Sequence, residues 1–155
     1  MIVLGIDPGT RRAGFGIIKK DKGEIHFLSA GLLAIRGGSD GEALQDIRKD
    51  LNQLILEWRP DVLAVQKLFF VKNQKTGMRV AEARGVIIAS GMEHGLTIRE
   101  YSPNEIKSGI TGYGMADKRA VAKMVKYILK KPDLKVIDDA SDALAVAIFA
   151  CNDNR

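Results

Sequence analysis

One cysteine, Cys151, in 155 residues excludes an intrachain disulfide and suits a reducing cytoplasm. Its apolar neighbours make it a small buried side chain on a helix. Two histidines, His26 and His94, suggest no histidine metal site. His94, next to Gly95, reads instead as the end of a helix, where partial positive charge suits the dipole. Long apolar runs are also missing. The longest near the C-terminus, Ala143 to Cys151, is far too short to span a bilayer. No basic segment precedes an apolar one at the N-terminus, so neither a secretory leader nor a membrane partner is expected. There is no internal repeat and no low-complexity linker. Residues 1–155 read as one domain, large enough for a real core.

What is present is a folding composition with a basic excess. Hydrophobic residues make up 46% of the chain, which excludes a disordered polymer. There are 24 Lys and Arg against 19 Asp and Glu, a net charge of +5. That balance favours a polyanionic partner. The cations gather in two groups: Lys72, Lys75, Arg79 and Arg84, then Lys118, Arg119, Lys123, Lys126, Lys130 and Lys131. At least half of them are expected on solvated helix faces.

Ile2, Val3, Leu4 and Ile6 have the pattern of a strand buried on both faces, and Pro8-Gly9 stops it. Asp7 ends that strand. It is either a turn residue serving backbone N–H groups or a ligand at the carboxyl end of a central strand, where open α/β sheets place their sites. Ala13 to Lys20 and Glu24 to Ile35 return as two more strands, completing an antiparallel meander. Gly14 and Gly16 serve either strand packing or close approach by a ligand. Ser39 to Glu42 is a capping box opening a helix with its apolar stripe at Leu44, Ile47, Leu51, Leu54, Ile55 and Trp58. Val62 to Val65 is a buried strand ending in Gln66, followed by a loop with two exposed-looking aromatics, Phe69 and Phe70. Thr76 is placed to cap a second helix rich in small residues, which packs on its own sheet or forms a subunit interface. Thr97 to Tyr101 is a fifth strand. Pro103 starts a short helix carrying Lys107, and Asp117 caps the next, through about Leu129. Lys118 lies in the first turn of that helix, where positive charge opposes the dipole. The order predicts an α/β fold with a mixed five-stranded sheet flanked by helices, analogous to the ribonuclease H-like architecture.

Asp139 and Asp142 stand three apart at the start of the last helix and share a face. Capping and dipole complementarity account for one of them easily. If this helix packs beside the first strand, three carboxylates converge with Asp7. Like charges in one place need a cation, and Mg²⁺ is the natural one. Two such ions would clamp the attacking water and the leaving oxygen of phosphodiester hydrolysis.

Gly5-Ile6-Asp7-Pro8-Gly9-Thr10, the strand ending at Gln66 followed by Phe69, and Asp139-Ala140-Ser141-Asp142-Ala143-Leu144-Ala145 together resemble the RuvC family of bacterial Holliday-junction resolvases, essentially end to end. The resemblance implies a ribonuclease H-like, homodimeric, Mg²⁺-dependent endonuclease, with Mn²⁺ as a substitute metal. It implies paired nicks in a four-way DNA junction, during recombination and repair in the cytoplasm, with delivery by a RuvA–RuvB branch-migration complex. By motif, Asp7, Asp139 and Asp142 match three of four acidic metal ligands. Phe69, with Phe70 beside it, matches an aromatic that stacks on junction bases. Lys107 and Lys118 match basic residues beside the scissile phosphate, and Lys72, Lys75 and Arg119 are expected on DNA.

One position departs from the pattern. Gln66 stands where the family has Glu, keeping the shape and one acceptor oxygen but losing the charge. This marks either an engineered inactive variant or an inactive branch, and the otherwise intact site favours the first. Three rivals remain: half of an actin- or sugar-kinase-like ATPase, a junction-binding module without chemistry, and another ribonuclease H-like nuclease. The ATPase needs a second strand-Asp-x-Gly lobe that the chain lacks. A stacking wedge at Phe69 serves opened DNA better than an intact RNA–DNA hybrid.

Overall fold

The apolar run after Met1 is the middle of the sheet. The computed structural model describes residues 1–68 and 72–153. Its elements are β1 (Ile2–Asp7), β2 (Gly14–Asp21), β3 (Glu24–Leu32), α1 (Asp40–Trp58), β4 (Val62–Gln66), α2 (Gln74–Glu93), β5 (Thr97–Tyr101), α3 (Pro103–Thr111), α4 (Lys118–Ile128) and α5 (Asp138–Asn152). The strand order is β3-β2-β1-β4-β5. β1 runs antiparallel to β2 and parallel to β4, and β4 runs parallel to β5. This is the mixed five-stranded, ribonuclease H-like arrangement expected from the element order.

Alternation along the central strands divides the core into two layers. Leu4, Ile6, Leu63 and Val65 face α1 and α2, against Ile47, Leu51, Ala83 and Ile87. Val3, Val62 and Ala64 face α3, α4 and α5, against Ile106, Val121, Leu144 and Ile148. Asp7 and Gln66 each follow a residue of the first set by one position. They therefore point toward the α3–α5 side. No helix among the described residues is long and apolar enough to cross a membrane.

Three expected boundaries move, each for a local reason. β3 ends at Leu32 instead of reaching Ile35. Beyond it, α1 carboxylates take the backbone donors: Asp50 accepts from Ala34 N at 2.8 Å, and Asp46 from Arg36 N and Gly37 N at 2.8 Å. Asn73, not Thr76, caps α2, with its side-chain oxygen accepting from Lys75 N at 3.1 Å and Thr76 N at 3.4 Å. Thr76 thus lies inside the first turn. α5 opens at Asp138, with Ile137 as N-cap and no side-chain cap. Neither Asp139 nor Asp142 makes a capping hydrogen bond, and Asp139 lies in the first turn, where its charge suits the helix dipole.

The glycines at the sheet centre make room for α5 rather than for a ligand. A Cβ at Gly5 would strike the Ala143 carbonyl, one at Gly14 the Asp139 carbonyl, and one at Gly16 would lie 2.7 Å from Leu144 N. Bare backbone there lets α5 lie directly on β1 and β2. That contact carries the start of α5 to the end of β1.

Candidate active site

Two strand ends, one helix face and two lysines form the site. β1 and β4 pair in parallel with Ile6 opposite Val65, so the next residues, Asp7 and Gln66, stand side by side at the strand ends. Gln66 Nε2 donates to Asp7 Oδ1 at 3.0 Å. An ionised Asp7 only accepts, and in that state the amide presents its NH₂ to it. From α5, Asp142 enters the same space. From α3 and α4 come Lys107 and Lys118. These five side chains line one cavity of about 230 Å³, together with Pro103, Ile106, Val121 and Ala145.

The electrostatics of the cavity centre on Asp7. Burial pushes its carboxyl up to about 7, and the nearby Asp142 and Asp139 push the same way, while Lys118 opposes them. Lys118 Nζ donates to Asp142 Oδ2 at 3.1 Å, and this bond holds the lysine above the usual ammonium range. Lys118 therefore has a local partner, although it opposes the helix dipole. An exposed pair of this kind is worth only ~0–1 kcal/mol, so stability alone does not explain the lysine.

Asp139 lies beside the cavity, not in its wall. Its carboxylate is turned onto Arg12, with Nε at 2.9 Å and Nη2 at 2.7 Å from Oδ2. Arg12 was not anticipated from the sequence. Two arginines follow the Asp7-Pro8-Gly9 turn, and nothing in their order separates them. Arg11 bonds the Gly37 carbonyl and Asp40, while Arg12 crosses to α5. Lys72 is exposed just before α2, Lys75 is exposed in its first turn, and Arg119 is exposed beside Lys118. None of the three lines the cavity. Phe69 and Phe70 lie outside the described residues.

The donor set is all oxygen, the chemistry of a hard divalent cation. Among the described residues, however, no three carboxylate, histidine or cysteine groups are disposed to hold a metal as they stand. The side chains show why: Asp7 takes the Gln66 amide, Asp139 takes Arg12 and Asp142 takes Lys118. Each ion pair is partly solvated and worth only ~0–1 kcal/mol, so a cation competes readily for either aspartate. The oxygen donors suit a hard cation in kind, and Asp139 and Asp142 would have to leave Arg12 and Lys118 to reach one.

Known proteins resemble this chain in sequence and fold. Residues 3–150 match the family model for crossover junction endodeoxyribonuclease RuvC. The chain is 42% identical over 151 residues to the enzyme of that name from Natranaerobius thermophilus, covering 96% of this chain and 92% of that one. It is 41% identical over 148 residues to the one from Thermosipho melanesiensis, covering 95% and 94%. The structure matches T. thermophilus RuvC in complex with a Holliday junction substrate at a TM-score of 0.90 and 27% identity, over 97% of this chain and 93% of that one. It shares its fold with the yeast mitochondrial Holliday junction resolvase at a TM-score of 0.69 and 15% identity, over 95% and 76%. The chain belongs to the RuvC family of crossover junction endodeoxyribonucleases.

Proposed function

We propose that the chain folds as one nuclease domain of a structure-selective endonuclease for four-way DNA junctions, with its hydrolytic step restrained by Gln66. One observation carries the reading: Asp7, Gln66 and Asp142 meet Lys107 and Lys118 in one cavity at the ends of β1 and β4. An acidic floor with a basic rim suits a phosphodiester and a divalent cation together.

Nucleases of this family are metal-dependent. Mg²⁺, two ions per site, with Mn²⁺ as a substitute, is the assignment that the hard oxygen donors support. Asp7, Asp139 and Asp142 would hold the metal, which would polarise the phosphate and lower the pKa of the attacking water. Lys118 and Lys107 take up negative charge on the scissile phosphate as it is attacked. Lys72, Lys75 and Arg119 hold the DNA outside the cavity by its phosphates. Phe69 and Phe70 follow β4 and are assigned to bases opened at the crossover.

Gln66 weakens this machine in two ways. It removes one negative charge from the set that must balance the metal. Its NH₂ also covers Asp7 Oδ1, an oxygen the metal needs. With Glu at that position, as in the family pattern, two adjacent carboxylates would repel and turn toward a shared cation. The chain as it stands therefore works chiefly as a junction-binding module, a second reading that the Gln66–Asp7 bond favours.

Two symmetric cuts need two symmetric sites, which supports a C2 homodimer. The exposed side of α2 suits a second copy. Met78, Gly85 and Met92 lie on it, and nothing stands within 4 Å of a Cβ at Gly85. A RuvA–RuvB complex is the expected deliverer of junctions, in the cytoplasm. The reading is tested by nicking of a synthetic four-way junction in Mg²⁺ by the Gln66→Glu variant. Paired cuts in opposing strands support it, and no cuts in any metal overturn it.

A further inference from the structure

The loop between α3 and α4 has a feature that the cavity does not account for. It holds two large apolar side chains in solvent: Tyr113 is 63% exposed and Met115 is 74% exposed. Among the described residues, the Tyr113 ring and phenol make no hydrogen bond and no aromatic ring contact.

The backbone beneath them is pinned. Gly112 closes α3 in the left-handed region at φ 78°, with its N–H donating to the Ser108 carbonyl at 2.8 Å. Thr111 Oγ1 shares its one proton between the Lys107 carbonyl at 2.8 Å and the Tyr113 carbonyl at 3.0 Å, and accepts from Tyr113 N at 3.1 Å. Ala116 N donates to the Tyr113 carbonyl at 3.0 Å, and Ala116 itself is buried against the core. Asp117 then caps α4, accepting from Ala120 N at 2.8 Å. A loop tied at both ends fixes the backbone from which the Tyr113 ring projects.

Its two anchors are the helices of the site. Lys107 on α3 and Lys118 on α4 both line the cavity with Asp7 and Asp142. Thr111 links the Lys107 turn directly to Tyr113. A strand whose phosphate sits between these lysines carries its neighbouring nucleotide past this loop.

We propose that Tyr113, with Met115 beside it, stacks on a nucleobase flanking the scissile phosphate and so sets which sequences the enzyme cuts. The proposal rests on the junction-nuclease reading of the cavity. A π-face accepts any base, but purines and pyrimidines stack with different strength, which gives a graded preference. A loop backbone held in place before the DNA arrives loses little freedom on binding.

The experiment uses the full chain in two forms. In the Gln66→Glu form, nicking rates are measured on a panel of junctions differing only at the nucleotides flanking the cut. Tyr113→Ala should lower the rate on the favoured junction about tenfold and flatten the differences across the panel. Tyr113→Trp should restore both. In the Gln66 form, 2-aminopurine beside the scissile phosphate reports stacking without cleavage. Its fluorescence should be quenched on binding and recover in Tyr113→Ala, with Tm unchanged. The inference is overturned if Tyr113→Ala leaves rates, preferences and fluorescence as in the parent. It is also overturned if that variant turns a dimer into a monomer, which makes the loop a subunit contact. If Gln66→Glu cuts nothing while the fluorescence still responds to Tyr113, the catalytic reading fails and the base contact stands. If no junction is bound at all, both fail.

Discussion

Asp7 is the residue where charge and burial conflict. In the unfolded chain its carboxyl titrates near 3.8, whereas in the fold burial and the neighbouring aspartates push it up to about 7. Between those values the folded state holds a proton that the unfolded chain has released. The stability from this group is therefore fully present below 3.8 and is lost as pH rises through 7. Glu42 and Asp46 titrate the other way, held low by hydrogen bonds from backbone N–H groups. The Asp7 effect is thus read as a difference between two chains. In EDTA, urea midpoints of the parent should fall relative to those of Asp7→Asn between about pH 4 and pH 7. Parallel curves would mean that Asp7 ionises freely. The sequence made Asp7 legible because Pro8-Gly9 stops a short apolar strand just after it. It could not show Arg12, since only packing of α5 across β2 brings Asp139 within its reach.

At the scale of elements, the site depends on how closely α5 lies on β1 and β2. The element order, the Ser39 cap of α1 and the final helix were all legible from periodicity and capping residues. The part played by Gly14 and Gly16 was not, because a glycine that admits a ligand and one that admits a helix look alike in sequence. The Ser102–Glu105 capping box of α3 was also overlooked, although its spacing matches that of Ser39–Glu42. Replacing Gly by Ala inside a strand ordinarily stabilises by ~0.5–1 kcal/mol. Gly16→Ala should instead destabilise by ~1–3 kcal/mol, because its Cβ would press on the Leu144 backbone and push α5 away. Gly41→Ala in α1, where nothing stands within 4 Å, serves as the control and should stabilise. Denaturant midpoints check both. A stabilised Gly16→Ala would show that α5 has slack, and that its aspartates are not placed by this contact.

At the scale of the molecule, sheet and helices form a frame that places one basic-rimmed acidic cavity, and symmetric cutting requires two. If the exposed face of α2 joins the subunits, Gly85→Arg should convert a sedimenting dimer to a folded monomer, since within one chain the side chain enters open space. A dimer that survives Gly85→Arg places the interface elsewhere. The fold class was legible from the order of elements, and the family from the motifs at Asp7, Gln66 and Asp139–Asp142. The reach of Gln66 onto Asp7 was not, since it needs the parallel register of β1 and β4. That bond supports the central claim, and one measurement bears on it most directly: nicking of a four-way junction in Mg²⁺ by this chain and by Gln66→Glu, with junction affinity measured in Ca²⁺. Gln66→Glu should cut faster by at least about 10²–10³, at nearly equal affinity. Equal cutting rates for the two chains would contradict the placing of position 66 in the metal site.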